Sequence, residues 1–259
     1  MDEIRRKIAE ADMVLVTIGD EFERIDSLRQ DTAYQKVCND IAVREAQWAY
    51  PLVSHFFLEK DAQLKDAYQA IQKLLEGKNY YVISAPVNGM IMESGIRQDR
   101  VVEPCGTCYR MQCSKGCEGS IRQTEPALFG EFASYIRGDK SWEELQLPVC
   151  DACHVKMECN SLYAEHYLEE GYRKDWERYT KWLQGTVNRR LCVLELGVGM
   201  QYAGVLRFPM EKIVGINRKA ELIRIHHQLS QLPLEIGGRG MGIPCNAVEY
   251  MAQTWKSMI

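Results

Sequence analysis

The chain has 259 residues, 46% of them hydrophobic and 26% charged, and a formal net charge of −4. These are the proportions of a globule with room for one large domain, or a main domain and a small satellite. The acidic balance and the lack of any long Lys/Arg run argue against non-specific nucleic-acid binding, and no window approaches the ~18 apolar residues of a membrane span.

The N-terminus lacks a secretory apolar region and cleavage site, so ten cysteines imply a reducing, cytoplasmic setting with thiols used for metal rather than disulfides. Residues 2–11 place Ile4, Ile8 and Ala11 at helical spacing. Met13 to Thr17 is a compact apolar run, expected as a buried parallel strand. It leads into Ile18-Gly19-Asp20-Glu21-Phe22-Glu23, where nucleotide-binding folds place a glycine-rich phosphate loop. Here one glycine is followed by acids that would repel a pyrophosphate. Residues 40–60 are long and apolar, and 61–75 carry Leu64, Ala67, Tyr68, Ile71, Leu74 and Leu75 on one helical stripe stopped by Gly77. His55 is expected as a core or rim histidine. Tyr80 to Ser84 is a second strand, ending in the turn Ala85-Pro86-Val87-Asn88-Gly89.

A cysteine-rich stretch follows, CGTCYRMQCSKGC from Cys105 and CDAC from Cys150. Two such pairs are the mark of a tetrahedral knuckle closed by thiolates, suited to structural Zn²⁺. Cys113 and Cys117 would supply one half and Cys150 and Cys153 the other; Cys105 and Cys108, at the commoner C-x-x-C spacing, are an alternative first pair. Residues 118–149 read as a solvated insert in which Ser141 and Glu144 form a capping box for a short helix bearing Trp142. Leu168, Tyr172, Trp176, Tyr179, Trp182 and Leu183 recur at helical intervals, as core packing. The last third alternates strand and helix: strands at Leu191–Leu196, Lys212–Asn217 and Leu232–Ile236, then a helix opened by Pro244. The fold class expected is α/β, a Rossmann-like parallel sheet with helices on both faces, plus a small inserted zinc-binding module and a helical module. Ligands of such sheets bind beyond the carboxyl ends of the strands, where Gly197, Gly199 and Asn217 are expected.

A zinc module inserted between early and late strands of such a sheet resembles the layout of the sirtuins, NAD-dependent protein deacylases. Val101-Val102-Glu103-Pro104-Cys105-Gly106-Thr107 resembles the family's V-I-E-x-H-G-S, with Cys113 eight residues after the histidine position. Cys150 and Cys153, followed by Glu158 to Glu165, resemble the second zinc pair and the R-P-x-V-V-x-F-G-E motif. Gly197-Val198-Gly199 is similar to G-T-S, Asn217 to the ribose-contacting asparagine, and Gly242 to Cys245 to the stretch near the adenine. The resemblance covers most of the chain and implies a nucleotide-binding domain from 1–104 and 160–259, a helical module at about 36–78 and a zinc module at 105–159. It also implies Zn²⁺ on Cys113, Cys117, Cys150 and Cys153, and NAD contacts at Gly19, Asn88, Gly197, Val198, Gly199, Asn217 and Cys245.

The departures fall on the chemistry. Cys105 takes the place of the family's general-base histidine, N-x-D-G becomes Pro86-Val87-Asn88-Gly89, and the G-A-G-x-S loop and P-D-F-R are missing from residues 17–30. Loss of one positioned base typically costs about 10²–10⁴-fold. The resemblance therefore implies an NAD- or ADP-ribose-binding zinc protein lacking ordinary deacylase activity. The alternatives are an NAD-consuming deacylase or ADP-ribosyltransferase with a rebuilt site, and a redox device built on the thiols. Implied partners are a small nucleotide and an acylated or ADP-ribosylated protein.

Overall fold

Helix α1 (Asp2–Glu10) leads into β1 (Met13–Ile18), whose six residues, apolar but for Thr17, are all buried. The computed structural model describes residues 2–236 and 238–258. After β1 come α2 (Ile25–Leu28), α3 (Thr32–Val43), α4 (Tyr50–Leu58) and α5 (Ala62–Leu75), then β2 (Tyr80–Ser84) and β3 (Val101–Val102). A second group follows: β4 (Gly106–Cys113), β5 (Arg122–Gln123), α6 (Pro126–Arg137) and β6 (Met157–Ser161). The chain then returns through α7 (Glu170–Gln184), β7 (Leu191–Leu196), α8 (Arg207–Ile216), β8 (Glu221–Ile225), β9 (Gly240–Ile243) and α9 (Ala247–Lys256).

Six strands form one parallel sheet in the order β3-β2-β1-β7-β8-β9. Side chains alternate strictly between two cores, as the two-residue period of a strand requires. Val14, Val16, Val82, Leu194 and Ile223 join α1, α3, α4, α5 and α9 on one face. Leu15, Tyr81, Ile83, Val193 and Leu222 join α7 and α8 on the other, where Tyr179 and the Trp176 and Trp182 stripe pack. From β1 the chain steps one way to β2 and β3, then restarts on the opposite side at β7. The switch point of this sheet therefore lies between β1 and β7. Strands β5-β4-β6 make a separate antiparallel sheet. No helix among the described residues is long and apolar enough to cross a membrane.

Several expected elements are corrected. Lys212–Asn217 is not a strand but the end of α8: Leu206, Met210 and Val214 are buried at four-residue steps while Ile216 stays 73% exposed. The strand that follows β7 is β8, disguised in the sequence by Arg224 at its centre. Leu232–Ile236 is not a strand either; a 3₁₀ turn spans Leu234–Ile236, and the edge strand is the glycine-containing β9. Helix α9 is opened by Asn246, whose side chain accepts from Val248 N and Glu249 N, rather than by Pro244. The insert at 118–149 is less solvated than expected. Its helix α6 buries Leu128 and Phe132, and Phe132 meets Trp48 and Trp142 edge-on. The Ser141/Glu144 capping box forms, on a single 3₁₀ turn.

Candidate functional site

The pairing of β4 with β6 sets Cys113, at the end of one strand, beside Met157 of the other. The turns flanking that pairing carry Cys117 and the Cys150–Cys153 loop. The four sulfurs lie within 4.8 Å of one another, with Cys113 Sγ 3.5 Å from Cys153 Sγ. Burial opposes ionisation of Cys113, but N–H groups of Cys117 and Lys115 and the neighbouring thiols bring it down to about 6. Cys117 is pushed up to about 12 by sharing protons with Cys113 and Cys153. Four sulfurs at this spacing fit a tetrahedral, thiolate-preferring ion. Cys105 and Cys108 lie outside the cluster; Cys108 Sγ donates to Asn88 O at 3.2 Å.

At the switch point, the turn after β1 is laid directly on the turn after β7. Gly19 N donates to Leu196 O at 2.9 Å and Glu21 N to Gly197 O at 3.2 Å. Gly197 has φ +60°, and a side chain there would strike Glu21 Cβ at 2.5 Å; one at Gly199 would meet Asp20 Oδ2 at 2.7 Å. The acids fill the space that the glycines leave. Asp20 Oδ1 accepts from Gly199 N at 2.8 Å. Glu21 is buried, and its Oε1 accepts from His227 N (2.9 Å) and His227 Nδ1 (2.5 Å), its Oε2 from Ala247 N (2.5 Å) at the start of α9. His226, stacked on His227 with centroids 4.7 Å apart, turns Nδ1 to accept from Gln228 N and Leu229 N. Its pKa is lowered by burial against the pull of Glu21, so the ring is neutral.

Val198 is buried in the same turn and passes its carbonyl to Arg207 Nη1 at 3.1 Å. Cys245 follows β9, half-buried, its thiol pushed up by burial and by Glu249. Asn217, by contrast, caps α8 at the amino-terminal end of the sheet, and its Nδ2 donates to Thr186 O and Arg189 O. It is therefore at the opposite end from the crevice, because the segment before it is a helix. His226 and His227 occupy the place expected for it, at the carboxyl end of the strand after β7.

The β2 side of the crevice is built around Glu23. Its Oε1 accepts from Val87 N at 2.6 Å and its Oε2 from Asn88 Nδ2 at 3.2 Å. Asn88 is fully engaged within the protein: Nδ2 also donates to Phe22 O, Oδ1 accepts from Met90 N, and its carbonyl accepts from His55 Nδ1 at 2.8 Å. Burial pushes the Glu23 carboxyl up to about 7 against those two hydrogen bonds. The same burial, with Glu23 nearby, pushes Cys105 up to about 12. Glu23 opens onto a cavity of about 370 Å³ walled by Tyr34, Tyr50, Ser54, Val87 and Tyr163.

A carboxyl whose ordinary pKa of 4.5 rises to about 7 on folding holds its proton in the folded chain over a range where the unfolded chain has released it. That stability is complete below pH 4.5 and is lost as pH climbs through 7. For this fully buried group it amounts to about 3 kcal/mol. Urea unfolding of the wild type should therefore weaken across that window, and Glu23→Gln should flatten the profile. A profile identical in the two proteins would remove the assignment.

Sequence reasoning missed Glu21, Glu23, His226 and His227 as members of one site. Asp20 and Glu21 read in the sequence as a source of repulsion, but nothing local marks them as satisfied by N–H groups some two hundred residues away, or Glu23 as satisfied by Val87 N.

No protein-family model matches the sequence. It is 24% identical, over 72% of this chain and 32% of the relative, to a probable bifunctional ADP-ribose hydrolase/ADP-ribosyltransferase of Fusarium oxysporum f. sp. cubense. It is 22% identical, over 69% of this chain and 57% of the relative, to a protein ADP-ribosyltransferase of Staphylococcus aureus. The chain thus spans about a third and somewhat over half of these relatives' lengths. Among solved structures, a Sir2 homologue in complex with NAD superposes with a TM-score of 0.59 at 15% identity, covering 99% of this chain and 93% of that one. Sir2Tm bound to a propionylated peptide gives 0.56 at 16%, covering 100% and 98%. With its switch point between β1 and β7 and its four-thiol cluster, this chain is a divergent protein of sirtuin-like fold.

Proposed function

We propose that this protein binds NAD or ADP-ribose in the crevice beyond β1, β7 and β8, holds Zn²⁺ on Cys113, Cys117, Cys150 and Cys153, and does not carry out ordinary lysine deacylation. The observation that carries the last point is Cys105. It is 2% exposed and its pKa lies near 12, so at neutral pH it is a thiol that neither accepts nor relays a proton. The sirtuin-like fold and the two ADP-ribosyl-named relatives support the ligand class. Gly19, Gly197, Val198, Gly199 and Cys245 follow the carboxyl ends of β1, β7 and β9, the strand ends beyond which such a ligand would bind, and NAD when bound would supply an ADP-ribosyl group. Calorimetry with NAD and ADP-ribose, alongside an NAD-dependent assay on an acetylated peptide, tests the reading. Binding without deacetylation is the expected result; NAD-dependent deacetylation, or no binding of either ligand at millimolar concentration, overturns it.

Glu23 favours a second reading, ADP-ribosyl transfer to a protein. Its pKa near 7 suits proton acceptance at physiological pH. A neighbouring cleft of about 850 Å³, lined by Trp48, Lys156, Leu162, Tyr163 and His166, offers room for an acceptor polypeptide. Leu162 and Tyr163 are exposed there. Incubation with labelled NAD should then transfer label to protein, and Glu23→Gln should reduce the rate about 10²-fold or more while ADP-ribose affinity holds. Equal labelling by the variant removes Glu23 from that role.

A further inference from the structure

We infer that Glu21, helped by Asp20, is an internal substitute for ligand phosphate: its carboxylate fills the anion cradle at the switch point and decides whether the crevice admits a diphosphate. A phosphate-binding turn needs converging backbone N–H groups and glycines that let an anion approach the main chain. Both are present here. His227 N, just past β8, and Ala247 N at the start of α9 converge on the two oxygens of one carboxyl group, and Gly199 N points to another carboxyl. What sits at those points is the protein's own carboxylates. Glu21 packs its Cβ and Cγ into the space left by Gly197, and Asp20 sets its carboxylate where a Gly199 side chain would stand.

The electrostatics are those of a filled site. The start of α9 offers an N–H to an acceptor, and Glu21 Oε2 takes it. The His227 ring in contact is engaged through Nδ1 with Glu21 Oε1. An arriving phosphate would find its donors taken and its space filled by a buried carboxyl group. A diphosphate therefore enters only by expelling Glu21. The ligand's identity as an ADP-ribosyl compound rests on the proposal above; the filled cradle does not.

Calorimetry on the full zinc-loaded chain tests this with inorganic pyrophosphate, ADP-ribose and adenosine, against wild type, Glu21→Ala and Glu21→Gln. Glu21→Ala should bind pyrophosphate and ADP-ribose at least roughly tenfold more tightly than wild type. Glu21→Gln, whose amide oxygen still accepts an N–H, should gain less, and adenosine should not respond. Melting curves identify a misfolded variant, in which case Glu21→Gln carries the comparison. Unchanged or weaker pyrophosphate binding in natively folded variants overturns the inference, as does an equal gain for adenosine, which would mark general loosening. If pyrophosphate gains but no variant binds ADP-ribose, the cradle stands and the ADP-ribosyl reading falls. If wild type binds ADP-ribose and neither variant binds pyrophosphate better, the reverse holds.

Discussion

If the four thiols hold Zn²⁺ as proposed, Cys150→Ser is expected to abolish metal binding and lower the melting temperature by about 10 °C or more. The reason lies in how little else holds the lobe. Sheet β5-β4-β6 has one two-residue strand, and the core it shares with α6 is built from small or flexible side chains, Cys108, Met111, Cys113, Met157 and Cys159, beside Leu128 and Phe132. Its two cysteine turns are far apart in sequence and are drawn together at the sulfurs. With one thiolate gone the remaining three no longer close a tetrahedron, and α6 loses its footing against α4 and Trp48. Elemental analysis should find one zinc per wild-type chain, and a chelator should reproduce the variant's melting curve. A metal-free wild type that melts normally would leave the cluster as four buried thiols and no more.

A loss of about 3–5 kcal/mol is expected for Glu195→Ala. Glu195 on β7 is fully buried and takes both arms of Arg224 on β8, at 2.5 and 3.0 Å, while Arg224 also reaches Glu211 Oε1 and Gln231 O, both at 2.7 Å. Arg207 lies 3.7 Å from the same carboxylate. Removing Glu195 strands two guanidinium groups beneath the sheet with only the partly exposed Glu211 to balance them. The turn ending at Val198 and the loop at Leu229 hang on Arg207, so their hydrogen exchange should rise with the loss of stability. Replacing Glu195 and Arg224 together by Met should recover much of it. Urea denaturation of the three proteins checks the order, and a Glu195→Ala cost below about 1 kcal/mol would sink the argument.

These two predictions differ in how visible their residues are in the sequence. Four cysteines in two close pairs announce themselves, because each half of the thiol cluster is a short local spacing. Glu195 and Arg224 do not. An arginine in the middle of Glu221–Ile225 makes a buried strand look like a surface turn, and only the neighbouring strand explains why a charge is tolerated there. The same blindness moved Asn217 to the wrong end of the sheet, since Ile213, Val214 and Ile216 read as a strand until the four-residue rhythm of Leu206, Met210 and Val214 is seen against β7.

The sequence by itself determined the parallel α/β architecture, the pairing of the cysteines that meet in the thiol cluster, and the acidic character of the turn after Gly19. All of these follow from composition, local period, or order along the chain. Tertiary structure alone decided what those acids do. A carboxylate's partners are chosen by which strand ends converge on it, and Glu21 finds its donors at His227 and Ala247, more than two hundred residues away. Whether a glycine turn awaits a ligand or is already occupied by its own chain is set by that convergence, and no window of sequence contains it.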